Sequence, residues 1–497
     1  MKITNIMNFV RTFEPRDAEV EKKLFDMAKA ELDLSLEMNL PSTFLLEYDA
    51  LCDERYVEMY RAVADNPKIE IGLWYEIVEP LTSAIGIPYD SKRGYRWDWN
   101  ISPGYPMSYS LEVRKALIDE AMRKFKEIFG FYPRSFGSWV LDTYTVNHLC
   151  DNYEIDALLV CRDQVATDAY TLVGGYFSGA YYPSRNNVFT PGTGENMIKV
   201  PVFRLLGCDP IHNLDSKKYL SSGARDGDSV YTLEPAAPSG ADPVVQDWFF
   251  DTYYTGEGLG LAYTQIGQEN SFASMDLITP LRSQYEKLID RGVTFLTTGA
   301  TGRLVKEAYA STPVTSVSAL KNWDTPNAQT VYYSSESYVA NILNYEGRVA
   351  IRALYLFDDR VADHYLTKRC TTFDSVHENL PIVDTYYQRG EGDGGAGIIL
   401  AGDAGEITVT AVGEDALTVC FDGGHIELYP DRIIINGCNA SFTPEMTNTH
   451  IRKEANRLVY LYKGNSYALS IEGGELTFDG TAYHIKGERV TLIPTRL

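Results

Sequence analysis

Between Lys2 and Glu76, three apolar runs alternate with two stretches of helical period, and this alternation constrains the fold more than any other feature. The spacing predicts a strand over Lys2–Val10, stopped at TFEPRD, and a helix over 18–38 with Val20, Leu24, Met27, Ala28 and Leu32 on one face. Pro41 breaks that helix. A strand over Ser42–Glu47, a helix over 53–64 and a strand over Ile69–Trp74 follow, the last running into Tyr75 and Glu76. Strand–helix–strand–helix–strand is the pattern of a parallel sheet with crossover helices. Further strands are expected at Phe136–Leu141, Ala157–Cys161, Ile198–Leu205, Leu259–Ile266 and Val293–Thr297, with helices over 110–129 (closed by Gly130) and 279–291. About eight strands with helices after most of them fit a (β/α)7-8 barrel over residues 1–312. From Pro313 the texture changes to short strand-like runs punctuated by Gly, Asp and Asn, the signature of an antiparallel β-sandwich over 313–497. The expected fold class is therefore α/β: a (β/α)7-8 barrel followed by a C-terminal antiparallel β-sandwich domain.

Composition narrows the function. A formal net charge of -23 argues against nucleic acid, whose phosphates call for basic patches. The polar N-terminus is not a signal peptide and no run reaches 18 apolar residues, so no membrane partner is expected. Seven scattered cysteines form no C-x-x-C pair and read as reduced thiols, which favours a cytoplasmic location, a removed leader aside. Tyrosine outnumbers phenylalanine 35 to 20. A flat apolar face with a hydroxyl suits a polyhydroxylated ligand, although large β domains are also rich in tyrosine.

In a parallel barrel, ligands bind at the C-terminal ends of the strands. The acids expected there are Glu14, Glu76, Asp142 and Glu269, with Asp163 and Asp168 near a fifth strand end. Trp139 and Asp142 leave the fourth strand together, an aromatic face beside a carboxylate. Asp142 equally suits the N-cap of the helix that starts near Thr143, and both readings stand on the sequence. Gln268 flanks Glu269 and can bond sugar hydroxyls. The loop over 80–109 carries Trp97 and Trp99 and is expected to wall a cleft, because long aromatic loops in compact domains are commonly functional. Trp74, Tyr176 and Tyr182 complete the candidate aromatic lining, and Arg16, Arg162 and Arg204 the candidate cationic contacts; these arginines also suit structural ion pairs with the acids. Only seven histidines occur, with no H-x-x-x-H or H-x-D pattern, so no metal is expected. No G-x-S-x-G elbow is present, and the glycine run at 390–397 lacks the strand–turn–helix order of a dinucleotide site, so no cofactor is expected. Opposed carboxylates remain, which is what glycoside hydrolysis requires.

The residues resemble the glycoside hydrolase/deacetylase barrel superfamily. TFEPR, STFLLE and KIEIGLW stand where polysaccharide deacetylases carry T-F-D-D-G, a T-F-F segment and G-H-E-I-G-N-H. FGFYPRSFGSW resembles the stretch leading to their R-x-P-Y motif. Deacetylases bind their metal through one Asp and two His; here Glu14 takes the place of the first Asp and no histidine lies near Trp74–Glu76. Family 57 glycoside hydrolases of the same superfamily carry H-Q-P on the first strand and a W-x-x-E-like motif with the nucleophile on the fourth. Phe13-Glu14-Pro15 and Trp139-Val140-Leu141-Asp142 stand in those places. The resemblance implies Asp142 as nucleophile; Glu269 is the expected acid/base from its late strand-end position. The expected function is a retaining glycosidase or transglycosidase acting on an oligosaccharide, with carboxyls roughly 5–5.5 Å apart, against roughly 6.5–9.5 Å for inversion. A deacetylase-like hydrolase with a carboxylate metal site, and a carbohydrate-binding barrel without chemistry, are the alternatives.

Overall fold

The first strand, β1 (Lys2–Val10), is buried from Ile3 to Val10, as a strand covered on both faces must be. Its polar residues are paired inside: Asn5 donates to Leu296 O at 2.7 Å and accepts from Tyr263 Oη at 2.8 Å. The computed structural model describes residues 1–161, 174–205, 233–235, 238–271, 278–323, 328–384, 397–443 and 449–497. Eight more strands join β1 in one sheet: β2 (Ser42–Leu46), β3 (Ile69–Trp74), β4 (Ser135–Gly137), β5 (Ala157–Cys161), β6 (Ala180–Tyr181), β7 (Val202–Leu205), β8 (Ala262–Ile266) and β9 (Thr294–Phe295). Their order is β6-β7-β5-β4-β3-β2-β1-β8, with β9 also on β1. Every pairing is parallel except β6 with β7.

The α/β architecture is as expected, but the sheet is a curled, open barrel. Among the described residues β7 and β8 share no hydrogen bonds; side chains cross between them, with the rings of Phe203 and Tyr263 4.9 Å apart. The fourth strand is shorter than its apolar run predicts. The chain leaves the sheet after Gly137, because Asp142 already caps the helix Thr143–Asn152. A side chain at Gly137 would press on Trp74 and Leu45, so the glycine lets the third strand's indole lie against the fourth. The helix predicted over 110–129 runs from Leu111 to Phe129, capped by Ser110 and ended by left-handed Gly130.

Beyond the helix Thr298–Ala308, the strands between Thr315 and Arg496 form a second, entirely antiparallel sheet. It surrounds its own apolar core, including Val331, Ile351, Ile435 and Leu492. The barrel's core does not stop at the first sheet. Tyr332, Val339, Tyr355 and Phe357 of the second sheet region belong to it, and Phe177 stacks on Tyr332 at 3.5 Å. Among the described residues no helix is long and apolar enough to cross a membrane, and Cys52, Cys150, Cys370, Cys420 and Cys438 are free thiols.

Candidate active site

The parallel strands deliver their C-terminal residues to one rim. β1 continues into Arg11 and Glu14, β2 into Glu47 and Asp49, β3 into Trp74 and Glu76, and β8 into Gln268 and Glu269. The β8 turn depends on Gly267, at φ +119°, where a Cβ would sit 2.1 Å from Met7 O. With that turn made, Glu269 bridges to Phe9 and Gln268 N donates to Asn8 Oδ1 at 3.1 Å.

Arg11 is the centre of the rim, 1% exposed. Its Nη2 lies 3.1 Å from Glu269 Oε2 and 3.6 Å from Glu76 Oε1. Those two oxygens are thus held within about 7 Å of each other, bridged by one guanidinium nitrogen. The guanidinium also stacks on Trp97 at 4.0 Å. Stacking leaves the N–H groups pointing out in the guanidinium plane, and Nε and Nη1 have no hydrogen-bond partner among the described residues. Glu76 is fixed by two indoles: Trp74 Nε1 donates to Oε1 at 2.8 Å and Trp97 Nε1 to Oε2. Behind this stand Phe9 stacked on Trp74 at 4.1 Å and Trp139 edge-on to both. Trp99 lies beside Trp97 toward the surface, with Arg16 5.5 Å from its ring. Arg16 bonds Glu14 through Nε (2.6 Å) and Nη2 (2.5 Å), and its Nη2 lies 3.8 Å from Glu269.

Acids outnumber bases here, and burial makes the surplus costly. Burial, then the charges of Asp49 and Glu76, push the Glu47 carboxyl well above the usual range, against the pull of Arg11. Burial raises Glu76 too, opposed by Arg11 and the two indole bonds. Burial alone would weaken the Arg11 cation, but Glu269, Glu76, Glu47 and Glu14 outweigh it and raise its pKa. A fixed cation therefore occupies the place where clustered carboxylates would gather a metal. No group of three or more His, Cys, Asp or Glu among the described residues is arranged to hold a metal ion, so these residues do not fit a deacetylase metal site.

The structure brings together Glu14, Arg16, Trp74, Glu76, Trp97, Trp99, Trp139 and Glu269 from the sequence-based set. Gln268 is adjacent but faces away, donating to buried Glu31 at 3.0 Å. Asp142 is elsewhere engaged. It is fully buried, pairs with Arg114 at 2.9 Å, and caps its helix by accepting from Thr145 N (3.1 Å) and Oγ1 (2.6 Å). Arg114 in turn donates to the carbonyls of Met107, Tyr365 and Lys368, so this knot ties the barrel to the C-terminal half. Tyr176 and Tyr182 are seam residues, donating to Pro313 O at 2.5 Å and Tyr309 O at 2.8 Å. Arg204 lines a separate seam cavity with His377 and Asp358. Arg162, Asp163 and Asp168 lie outside the described residues, as does the glycine run at 390–396.

Three participants were missed. Arg11 reads in sequence as an exit-loop charge, and Glu47 as the polar end of an apolar strand. Glu234 falls in a stretch that reads as a polar surface excursion, yet it is 6% exposed and accepts from Glu269 N at 3.2 Å. Only its apolar neighbour Leu233, 2% exposed, hints at burial.

No family model matches the chain, nor does any curated protein. Among solved structures, one from Parabacteroides distasonis, provisionally named a glycoside hydrolase/deacetylase, aligns at 15% identity and a TM-score of 0.54 over 77% of this chain and 88% of that one. The fold is thus shared with that protein. A provisionally named polysaccharide deacetylase from Mycobacterium smegmatis aligns at 12% identity and 0.36 over 62% of this chain and 90% of its own. A family 57-type branching enzyme from Pyrococcus horikoshii aligns at 10% and 0.34, over 62% and 71%. Likenesses at these last two levels set no constraint on this chain.

Proposed function

We propose that the chain is a carbohydrate-active hydrolase, a glycosidase of retaining course, working at the rim formed by Arg11, Glu76 and Glu269. The observation that carries this is the single Arg11 Nη2 held between the carboxylates of Glu269 and Glu76 beneath Trp97, at the C-terminal ends of β8, β3 and β1. Glu269 is the ion-paired carboxylate with least other engagement, and in this reading it attacks the anomeric carbon. Glu76, with both oxygens taken by indole N–H groups, orients Arg11 rather than reacting. Trp99 and Arg16, nearer the surface, offer a stacking face and a hydrogen-bonding edge for a sugar ring. Asp142, spent on a buried cap and ion pair, is not part of the reacting pair. The fold shared with a protein provisionally named a glycoside hydrolase/deacetylase agrees with this substrate class.

The test is a panel of aryl glycosides and acetylated sugars, with and without EDTA, on the wild type and Glu269→Gln. Hydrolysis of at least one glycoside, unchanged by chelator and lowered at least about 100-fold by the substitution, is expected. Acetate release that EDTA abolishes would replace this reading with a deacetylase. Glycan binding without turnover of any substrate would replace it with a binding barrel.

A further inference from the structure

We infer that Gln265 selects the sugar, by binding one of its hydroxyl groups in a small cavity beside Glu269. The inference rests on the glycosidase reading above and adds what that reading leaves open, which sugars the site accepts. The first observation is a space. A cavity lies between β1 and β8, walled by Met7, Phe9, Gln265 and Gln268 among others, and it reaches the turn that leads into Glu269. It is tight, with room for about one water-sized group. Arg11 Cζ stands 5.3 Å from the centre of the Phe9 ring, so one wall of the cavity carries the guanidinium that pairs with Glu269.

The second observation is a side chain that the fold leaves unused. Gln265 is 4% exposed, yet among the described residues neither its Oε1 nor its Nε2 has a hydrogen-bond partner. Asn5, its partner in the register of β1 with β8, shows the contrast: it bonds Leu296 O, Thr301 Oγ1 and Tyr263 Oη. Gln268, on the same cavity, donates to Glu31 through Nε2 but keeps Oε1 without a partner among the described residues. Buried amides without partners cost stability, and an apolar side chain at position 265 would avoid that cost. The amide is thus set out for a group that the chain itself does not supply.

The chemistry of the wall selects that group. A hydroxyl both donates and accepts, so one sugar hydroxyl accepts from Gln265 Nε2 and donates to the Oε1 of Gln265 or of Gln268. A carboxylate or sulfate only accepts, and it would enter a cavity lined by Glu234 and by no Lys, Arg or His among the described residues. A methyl or hydrogen in the same place leaves the amide unbonded. Arg11 keeps Nε and Nη1 for the other oxygens of the ring. The substrate class is therefore a neutral sugar with a free hydroxyl at the position that enters the cavity.

The experiment uses full-length wild type, Gln265→Leu, the nearly isosteric Gln265→Met, and Glu269→Gln. The substrates are nitrophenyl glucosides, galactosides, mannosides and xylosides of both anomers, and the monodeoxy analogues of the one cleaved fastest. In the wild type, removing one particular hydroxyl should lower kcat/KM at least about 100-fold, more than removing any other, because it leaves buried polar groups unpaired. In Gln265→Leu and Gln265→Met that penalty should shrink below about tenfold while the penalties at other positions stay as they were. Without sugar, the thermal midpoints of both variants should equal or exceed that of wild type, since the amide is unbonded in the free protein. Wild-type penalties below about tenfold at every position, a penalty unchanged by either variant, or lowered midpoints in both variants would overturn the inference. Glu269→Gln inactive on the parent glycoside leaves the glycosidase reading standing in each of those cases. A wild type inactive on all glycosides, or a fully active Glu269→Gln, overturns that reading instead. Calorimetry with free glucose, galactose, mannose and xylose then decides the cavity by itself. Binding that Gln265→Leu weakens at least about tenfold supports the inference, and binding that is absent or unchanged overturns it too.

Discussion

Asp142 and Glu269 look alike in sequence: each is an acid just past a strand, beside residues suited to sugars. Their partners separate them. Asp142 has Arg114 and both donors of Thr145 on its two oxygens, in a spot with no exposure. Removing one member of a buried pair leaves the other charge uncompensated, at a cost of about 3–5 kcal/mol. Asp142→Ala should therefore lower unfolding stability by that order in urea titration. Asp142→Asn should lose stability in proportion to any lost activity. An Asp142→Asn variant of wild-type stability that is catalytically dead would return the nucleophile role to Asp142. Cap and catalyst cannot be told apart in the sequence because Arg114 lies on another helix, and nothing local announces the pairing. Glu76 and Glu269 were legible as strand-end acids; Arg11 was not, because its charge is informative only once four acids surround it.

At the scale of elements, the sheet's two ends do different work. The C-terminal ends hold the acid surplus; the N-terminal ends hold a matched ion cluster. Asp156, just before β5, takes bonds from Arg134, Arg303 and Lys306, the last two from the helix Thr298–Ala308. Burial would raise its carboxyl, but these three cations outweigh it and hold it at about 2. That value lies below the ordinary Asp value near 3.9. The contribution is thus complete above about 4 and is lost as pH falls toward about 2. Asp156→Asn should lower stability near neutrality and shrink the loss of stability between about pH 4 and 2, read by acid unfolding followed by circular dichroism. An unchanged acid transition would contradict the role of this cluster. The strands and the longer helices were legible because their periods and caps are local: Ser110 and Gly130 bound one helix as predicted. Closure of the barrel was not, because whether β7 and β8 bond depends on the spacing of two sheet edges far apart in sequence. The shortened β4 was missed because Val140 and Leu141 are as buried off the sheet as they would be on it.

For the whole molecule, the shift in texture near Pro313 is easy to see in sequence, but the packing across it is not. The barrel core takes in Tyr332, Val339, Tyr355, Phe357 and Tyr365, and the Arg114 knot reaches Tyr365 and Lys368. A chain cut after residue 312 would expose this seam and leave Arg114 short of two acceptors. It should be insoluble or lack a cooperative thermal transition; a soluble 1–312 fragment unfolding in one sharp step would show that the halves fold independently. The second sheet thereby bears on the site indirectly, by fixing the helices that seat β3 and β4.

The most direct test of the central claim is the effect of Glu269→Gln on kcat/KM for the best aryl glycoside, measured beside Asp142→Asn with the folded fraction of each known. The account predicts at least about a 100-fold loss for Glu269→Gln at full folding, and for Asp142→Asn a loss no greater than its unfolded fraction explains. A folded Glu269→Gln enzyme within tenfold of wild type would contradict it.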